Sequence, residues 1–208
     1  MIRTAILVSG GGRNLQAVID SRLFGEIENC DIVAVVSSNP DAYALARARA
    51  AGLTGCVVDR DVFPNVQSFN EAIFHKLRDL DAELVVLAGF TEKLSDAVIR
   101  HYKNRIIGVH PSLMPAFSGT PESANTACAM ALETGVRITG ATAYFLTETP
   151  CAGPIILQQA VEVLPDDSPK SLSERVMSEA EWSILPRAVA LYCAGALEVV
   201  DGRVLIHN

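Results

Sequence analysis

The chain has no apolar run of the roughly 18 residues that a membrane-spanning helix requires, no long lysine- or arginine-rich stretch, and no Cys-x-x-Cys pair. Each absence excludes a class of function. Without a long apolar run, no membrane association is expected. Acidic side chains outnumber basic ones by 24 to 17, a net charge of −7, so nucleic acid is not an expected partner. An anionic small molecule is still admissible, provided local donors hold it. The five cysteines, Cys30, Cys56, Cys128, Cys151 and Cys193, are odd in number and widely spaced. They read as free thiols of a reducing compartment, which points to the cytoplasm. Cys30, Cys56 and Cys193 lie in or beside apolar segments and read as core filler. No grouping of His, Cys and carboxylate has metal-ligand spacing, so no metal is expected. Met1-Ile2-Arg3 leads straight into a strand pattern, which argues against a signal peptide.

What is present is a single-domain length, residues 1–208, half of it apolar. Short Val/Ile/Leu runs alternate with helical patterns. Strands are expected at Thr4–Val8, Asp31–Ser37, Gly55–Val58, Glu83–Ala88 and Arg105–Val109. Helices are expected at Asn14–Leu23, Ala42–Ala51, Val66–Leu80 and Ser95–Tyr102. Continuous apolar strands separated by helices specify an α/β fold with a mostly parallel sheet buried on both faces. After His110 comes a proline-, serine- and glycine-rich loop, Pro111–Glu122, of a length that is often functional. A helix near Ala124–Glu133 follows, then two long strands, Arg137–Thr147 and Ile155–Val163, paired antiparallel about the turn Glu148–Pro154. Ser171–Ala194 reads as a long helix with a break at Pro186, and Ser171 with Glu174 has capping-box spacing. Leu197–Val200 and Arg203–Ile206 read as a terminal hairpin.

Two places carry chemistry. Val8-Ser9-Gly10-Gly11-Gly12-Arg13-Asn14-Leu15 joins the first strand to the first helix. Glycines let the backbone approach a ligand, and the helix N-terminus offers unpaired N–H groups and partial positive charge, which suits a phosphate. Arg13 can add a bidentate contact, and Asn14 can cap the helix or contact the phosphate. A dinucleotide fingerprint would need glycine where Leu15 stands, and a Walker loop would need a lysine that is absent. A tight turn whose glycines serve packing alone is the plain alternative. The second place is His110, at the end of an apolar strand, where open α/β sheets present catalytic groups.

Taken in order, SGGGRNLQAVID, VVSSNPDAYALARARAAG, VVLAGF…LS, HPSLMPAFSG, AGPIILQ and Glu181 resemble the phosphoribosylglycinamide formyltransferases over nearly the whole chain. The resemblance implies a Rossmann-like formyltransferase fold with helices on both faces of the sheet. It implies transfer of a formyl group from 10-formyltetrahydrofolate to the amine of glycinamide ribonucleotide, in purine biosynthesis. The partners would then be a phosphorylated small-molecule amine and a folate, with a homodimer left open. By position, Gly11, Gly12, Arg13 and Asn14 fall on the family's phosphate loop, and Ser178, Glu179 and Glu181 on its ribonucleotide-binding segment. Phe90, Thr91, Glu92, Lys93 and Leu94, with Thr147, Glu148, Thr149 and Pro150, fall on the segments lining its pterin pocket. His110 falls on its catalytic histidine.

The same comparison marks departures. The family's asparagine two residues before the histidine is Gly108 here, and the aspartate of its D-G-G-P turn is Cys151 in Cys151-Ala152-Gly153-Pro154. Glu92 and Val66 stand where basic residues meet the folate tail, and Thr120-Pro121-Glu122-Ser123 departs too. Asparagine donates to the oxyanion formed as the amine attacks, and losing such a donor typically costs about 100- to 1,000-fold in rate. Without a carboxylate neighbour, His110 is expected to be neutral more often at pH 7. Tyr144 is expected to reach the pocket with its hydroxyl. Cys151 is either a nucleophile paired with His110 or filler in a turn that no longer serves catalysis, and His110 itself is either catalytic or packed against the loop. Formyl transfer competes with two alternatives: use of another amine acceptor or one-carbon donor, and a non-catalytic ligand-binding relative.

Overall fold

Five aliphatic strands with almost no polar alternation need cover on both faces, and the computed structural model, which describes residues 1–117 and 124–207, supplies it with helices. The strands are Ile2–Val8 (β1), Cys30–Ser37 (β2), Gly55–Val57 (β3), Leu84–Leu87 (β4) and Ile106–His110 (β5). Arg13–Leu23 (α1), Tyr43–Ala50 (α2), Val66–Asp79 (α3) and Asp96–His101 (α4) connect them. Then come Ala124–Thr134 (α5), Ile138–Phe145 (β6), Ile155–Glu162 (β7), Pro169–Val176 (α6), Trp182–Cys193 (α7), Leu197–Val200 (β8) and Arg203–Ile206 (β9). The main sheet runs β3-β2-β1-β4-β5-β6-β7, and β8 with β9 forms the separate hairpin. β1 to β5 pair in parallel, whereas β5–β6 and β6–β7 are antiparallel.

Alternation along β1 divides the core. Ile6 and Val8 join Leu15, Val18, Leu185 and Val189 of α1 and α7 on one face. Ala5 and Leu7 join Phe69, Ile73, Leu77 and Val98 of α3 and α4 on the other. Each such burial contributes about 1.5–3 kcal/mol, against at most ~0.7 kcal/mol between ordinary residues in helix propensity. Packing therefore decides where these helices lie. Cys30 and Cys193 are buried in this core, as expected of filler, and Cys56 is half-buried. Among the described residues, no helix is long and apolar enough to cross a membrane.

The C-terminal part corrects two expectations. The capping box is Ser168 with Ser171, not Ser171 with Glu174, because the helix begins two residues earlier at Pro169, a residue favoured at a first helical position. The long helix does break, but not at Pro186, which sits inside α7. The break is a π turn at Met177–Glu181. The wider turn rotates Ala180 and Glu181 inward and leaves Ser178 and Glu179 exposed.

Strand order places the site. β2 lies on one side of β1 and β4 on the other, so the segments leaving β1 and β4 diverge and open a crevice at their C-terminal ends. Ser9 ties its rim: its N–H donates to the Gly89 carbonyl at 3.0 Å, its Oγ accepts from the Thr91 N–H at 3.0 Å and bonds Ser38 Oγ at 2.7 Å.

Candidate functional site

The glycine loop earns its composition at Gly12. That residue caps α1 with φ 69°, in the left-handed region, and a Cβ there would fall 2.7 Å from Ala44 Cβ. Gly10 and Gly11 face open space, so their backbone is approachable. Helix α2 braces the loop from behind. The Ala44 N–H donates to the Gly10 carbonyl at 3.0 Å. Arg47 Nε donates to the Gly11 carbonyl at 2.9 Å, and its Nη1 to Gln16 Oε1 at 3.1 Å. Arg47 was not singled out in the sequence: nothing distinguishes it there from Arg49, two residues on. Arg13 is exposed beside the loop.

Asn14 does not cap α1. Its side chain turns inward, and Nδ2 donates to Glu181 Oε2 at 2.7 Å across 167 residues of chain. Asn14 Oδ1 is buried without a hydrogen-bond partner among the described residues, an acceptor that a bound amine or hydroxyl would satisfy. Glu181 is only 4% exposed. Burial pushes its carboxyl above the usual carboxylate range, while the Asn14 amide and the charge of His110 pull it back. A buried carboxyl with one protein donor suits a ligand that brings further N–H or O–H groups. Of the three residues expected on this segment, Glu181 reaches the cluster. Ser178 and Glu179 do not: both are exposed, and Ser178 Oγ donates to the Arg175 carbonyl.

His110 ends β5 and is buried. Its Nε2 lies 3.2 Å from the Phe117 carbonyl oxygen. A carbonyl only accepts, so Nε2 carries the hydrogen and the neutral ring presents a bare Nδ1. Facing Nδ1 at 3.6 Å is Cys151 Sγ, and Tyr144 Oη stands 3.9 Å from the same sulfur. The loop that supplies the Phe117 carbonyl is pinned from β6 and β7. Thr142 Oγ1 donates to the Ser112 carbonyl at 2.7 Å and accepts from the Met114 N–H at 3.0 Å, while Gln158 Nε2 donates to the Met114 carbonyl at 2.9 Å.

Burial depresses the imidazole, but the Cys151 sulfur, through hydrogen bond and charge, the Phe117 carbonyl and the charge of Glu181 together hold His110 above its ordinary value. Cys151 thus takes the place beside Nδ1 that the resemblance assigns to the aspartate. Tyr144 is pushed upward by its burial and then by Cys151, so it stays a neutral O–H donor.

These groups form one end of a cleft of about 750 Å³. Its walls include Phe90, Thr91, Glu92, Lys93 and Leu94 after β4, and Thr147, Glu148, Pro150 and Cys151 in the turn after β6. Thr149 is not on the wall; it is exposed, and its carbonyl accepts from Thr147 Oγ1. The walls are mostly apolar, and the volume suits a flat heterocycle. Gly108 lies behind the cleft, paired with Tyr144. The space a side chain would occupy there is taken by Leu146, whose Cδ1 would be 2.8 Å from an added Cβ. Glu92 is paired with Arg60 at 3.6 Å and Glu148 with Arg100 at 3.7 Å. Arg60 brings positive charge to the mouth from a short 3-10 turn, Arg60–Val62, that no sequence pattern marked. The departing segment Thr120-Pro121-Glu122-Ser123 lies outside the described residues. Among the described residues, no group of three His, Cys, Asp or Glu side chains is placed to hold a metal ion.

A mostly parallel sheet with a glycine loop at its switch point, and a histidine at the strand end beside an apolar cleft, define a ligand-binding α/β architecture. The formyl transferase family matches residues 2–189, and the chain belongs to that family. Within it, the chain is similar to the phosphoribosylglycinamide formyltransferase of Escherichia coli (strain K12), at 34% identity over 194 residues, covering 93% of this chain and 88% of the relative. The glycinamide ribonucleotide transformylase 1 structure from Symbiobacterium toebii superimposes with a TM-score of 0.93 at 38% identity, covering 100% of this chain and 95% of that one. The trifunctional purine biosynthetic protein adenosine-3 of Gallus gallus is 37% identical over 198 residues. The chain spans 95% of its own length in that match but only 19% of the relative's.

Proposed function

We propose that the chain, acting as one domain in the cytoplasm, transfers a formyl group from 10-formyltetrahydrofolate to the amine of glycinamide ribonucleotide. The observation that carries this reading is that His110 lines the apolar cleft and also interacts through its charge with the buried Glu181. On one side lies the apolar cleft after β4 and β6, suited to a pterin. On the other lies the buried Asn14–Glu181 pair beneath the glycine loop, with an unpartnered amide oxygen. In this assignment Gly11, Gly12 and Arg13 receive the phosphate at the α1 N-terminus. Asn14 and Glu181 receive the polar groups of the amine substrate. Burial holds Glu181 ready to take up positive charge or N–H donors from the amine.

The reaction needs a donor for the developing oxyanion and a path for the amine proton. His110 serves both, and its affinity for a proton is held above the ordinary imidazole value. Tyr144 Oη is the neutral donor nearest the Cys151 sulfur. Gly108 contributes no donor, which makes a second reading specific: a different amine, or a different one-carbon donor, for which this pocket is sufficient.

Thermal-shift titrations test the two halves separately. Glycinamide ribonucleotide and 10-formyltetrahydrofolate should each raise Tm. Asn14→Ala should abolish the first shift and spare the second. No shift with any folate removes the reading, and a folate shift without a ribonucleotide shift moves it to another acceptor.

A further inference from the structure

We propose that Cys151 is a covalent formyl carrier, so that transfer runs in two chemical steps through an S-formyl thioester on this chain. The proposal rests on the reading of the cleft as the site of a formyl donor. It departs from direct attack of the amine on that donor, and it is drawn from three features of the geometry.

First, Cys151 Sγ faces His110 Nδ1 at 3.6 Å, and the Phe117 carbonyl fixes the ring so that Nδ1 is the accepting nitrogen. This is the arrangement of an activated nucleophile: a thiol, a base within reach, and a third group orienting the base. Second, Cys151 lines the cleft rather than the core, with the Tyr144 hydroxyl 3.9 Å from its sulfur. Third, Cys151 sits at φ 49°, a left-handed conformation that non-glycine residues other than Asn, Asp and His adopt sparingly. The turn therefore holds a residue in a costly conformation with its side chain against the histidine, while Gly153 two residues on is locked. A Cβ at Gly153 would fall 1.7 Å from the Phe145 carbonyl oxygen.

The steps balance without an oxidant or reductant. In the first, His110 Nδ1 takes the Cys151 proton, and the thiolate attacks the formyl carbon of the donor. A C–S bond forms, the C–N bond to the folate nitrogen breaks, and that nitrogen leaves with the proton held by His110. In the second, the substrate amine attacks the S-formyl carbon. A C–N bond forms, the C–S bond breaks, and the proton lost by the amine returns through His110 to the sulfur. A thiolate is a stronger nucleophile than a neutral amine and a good leaving group. Covalent catalysis divides one difficult displacement into two easier ones.

The test uses the intact protein and 10-formyltetrahydrofolate with no amine present. Acid quenching and intact-mass spectrometry should find one formyl group added to the wild-type chain, and fragmentation should place it on Cys151. The same mixture should exchange formyl groups with isotopically labelled tetrahydrofolate. Adduct and exchange should fall by ~100-fold or more in Cys151→Ala and in Cys151→Ser, each checked for a wild-type-like melting curve. If the wild type transfers formyl to glycinamide ribonucleotide but shows neither adduct nor exchange, the carrier is overturned and the proposed function stands. If exchange occurs but no ribonucleotide is formylated, the carrier stands and the acceptor is wrong. Exchange that persists in Cys151→Ala also overturns the carrier.

Discussion

Placing an asparagine at position 108 should create a direct route for formyl transfer, and the structure lets its cost and gain be weighed. The background is Cys151→Asp, which removes the sulfur and sets a carboxylate against His110. The left-handed backbone at that position suits aspartate at least as well as cysteine. Adding Gly108→Asn brings a Cβ within 2.8 Å of Leu146 Cδ1 and 3.8 Å of the Tyr144 ring. The tight neighbour is the tip of a flexible side chain facing a cleft of about 750 Å³, so it can retreat. Overpacking of this kind costs typically about 1–3 kcal/mol. At roughly 2–4 °C per kcal/mol for a chain of this size, Tm should fall by no more than about 12 °C. Against that, a restored oxyanion donor contributes about 100- to 1,000-fold in rate. The assay is steady-state transfer from 10-formyltetrahydrofolate to glycinamide ribonucleotide. Cys151→Asp alone should be slower than wild type, and the double variant at least ~10-fold faster than Cys151→Asp. A folded double variant no faster than Cys151→Asp would refute the reasoning that Gly108 is a missing donor.

Three further outcomes are expected. Glu181→Gln should stabilise the free protein and weaken ribonucleotide binding. A carboxyl raised by burial makes the native state the better proton binder, so stability declines as pH rises through the interval between its unfolded and folded values, leaving a penalty at pH 7. Removing it should raise Tm, and a lowered Tm would contradict the assignment. Cys151→Ala should lower the His110 pKa, read from the imidazole proton shifts by NMR, because the sulfur is the first of the groups holding it up against burial. Since a raised histidine stabilises fully below its unfolded pKa and that gain is lost as pH rises through the folded value, the variant should also be less stable at pH below the folded value, most of all below the unfolded one; an unmoved titration would sink the pairing. Thr142→Val keeps the shape but leaves the Met114 N–H and Ser112 carbonyl without their partner, a loss of about 1–3 kcal/mol. It should drop both Tm and kcat; wild-type kcat would show that the loop does not set His110.

What the sequence made legible was local. The five aliphatic runs, the glycine loop and the histidine at a strand end follow from patterns within a dozen residues, and all fall close to where they were expected. What it hid was non-local or off-period. The Cys151–His110 contact joins residues 41 apart and was weighed only through the family resemblance. Asn14 reads as a cap from its position, yet Glu181 from the far end of the chain captures its amide. Glu181 itself is turned inward by a π turn, which a 3.6-residue period cannot anticipate. Gly108 looked like an empty place, but Leu146 fills it. Arg60 and Arg47 act through geometry alone, one against Glu92 and the other against the glycine loop.

The central claim is that the cleft lined by His110 and the buried Asn14–Glu181 pair together carry formyl transfer to a phosphorylated amine. The most direct measurement follows tetrahydrofolate release and formyl-glycinamide ribonucleotide formation together, with wild type and His110→Ala side by side. The account predicts stoichiometric appearance of both products with wild type and a loss of ~100-fold or more in the variant. Equal rates in the two proteins, or tetrahydrofolate released with no formylated ribonucleotide, would contradict it.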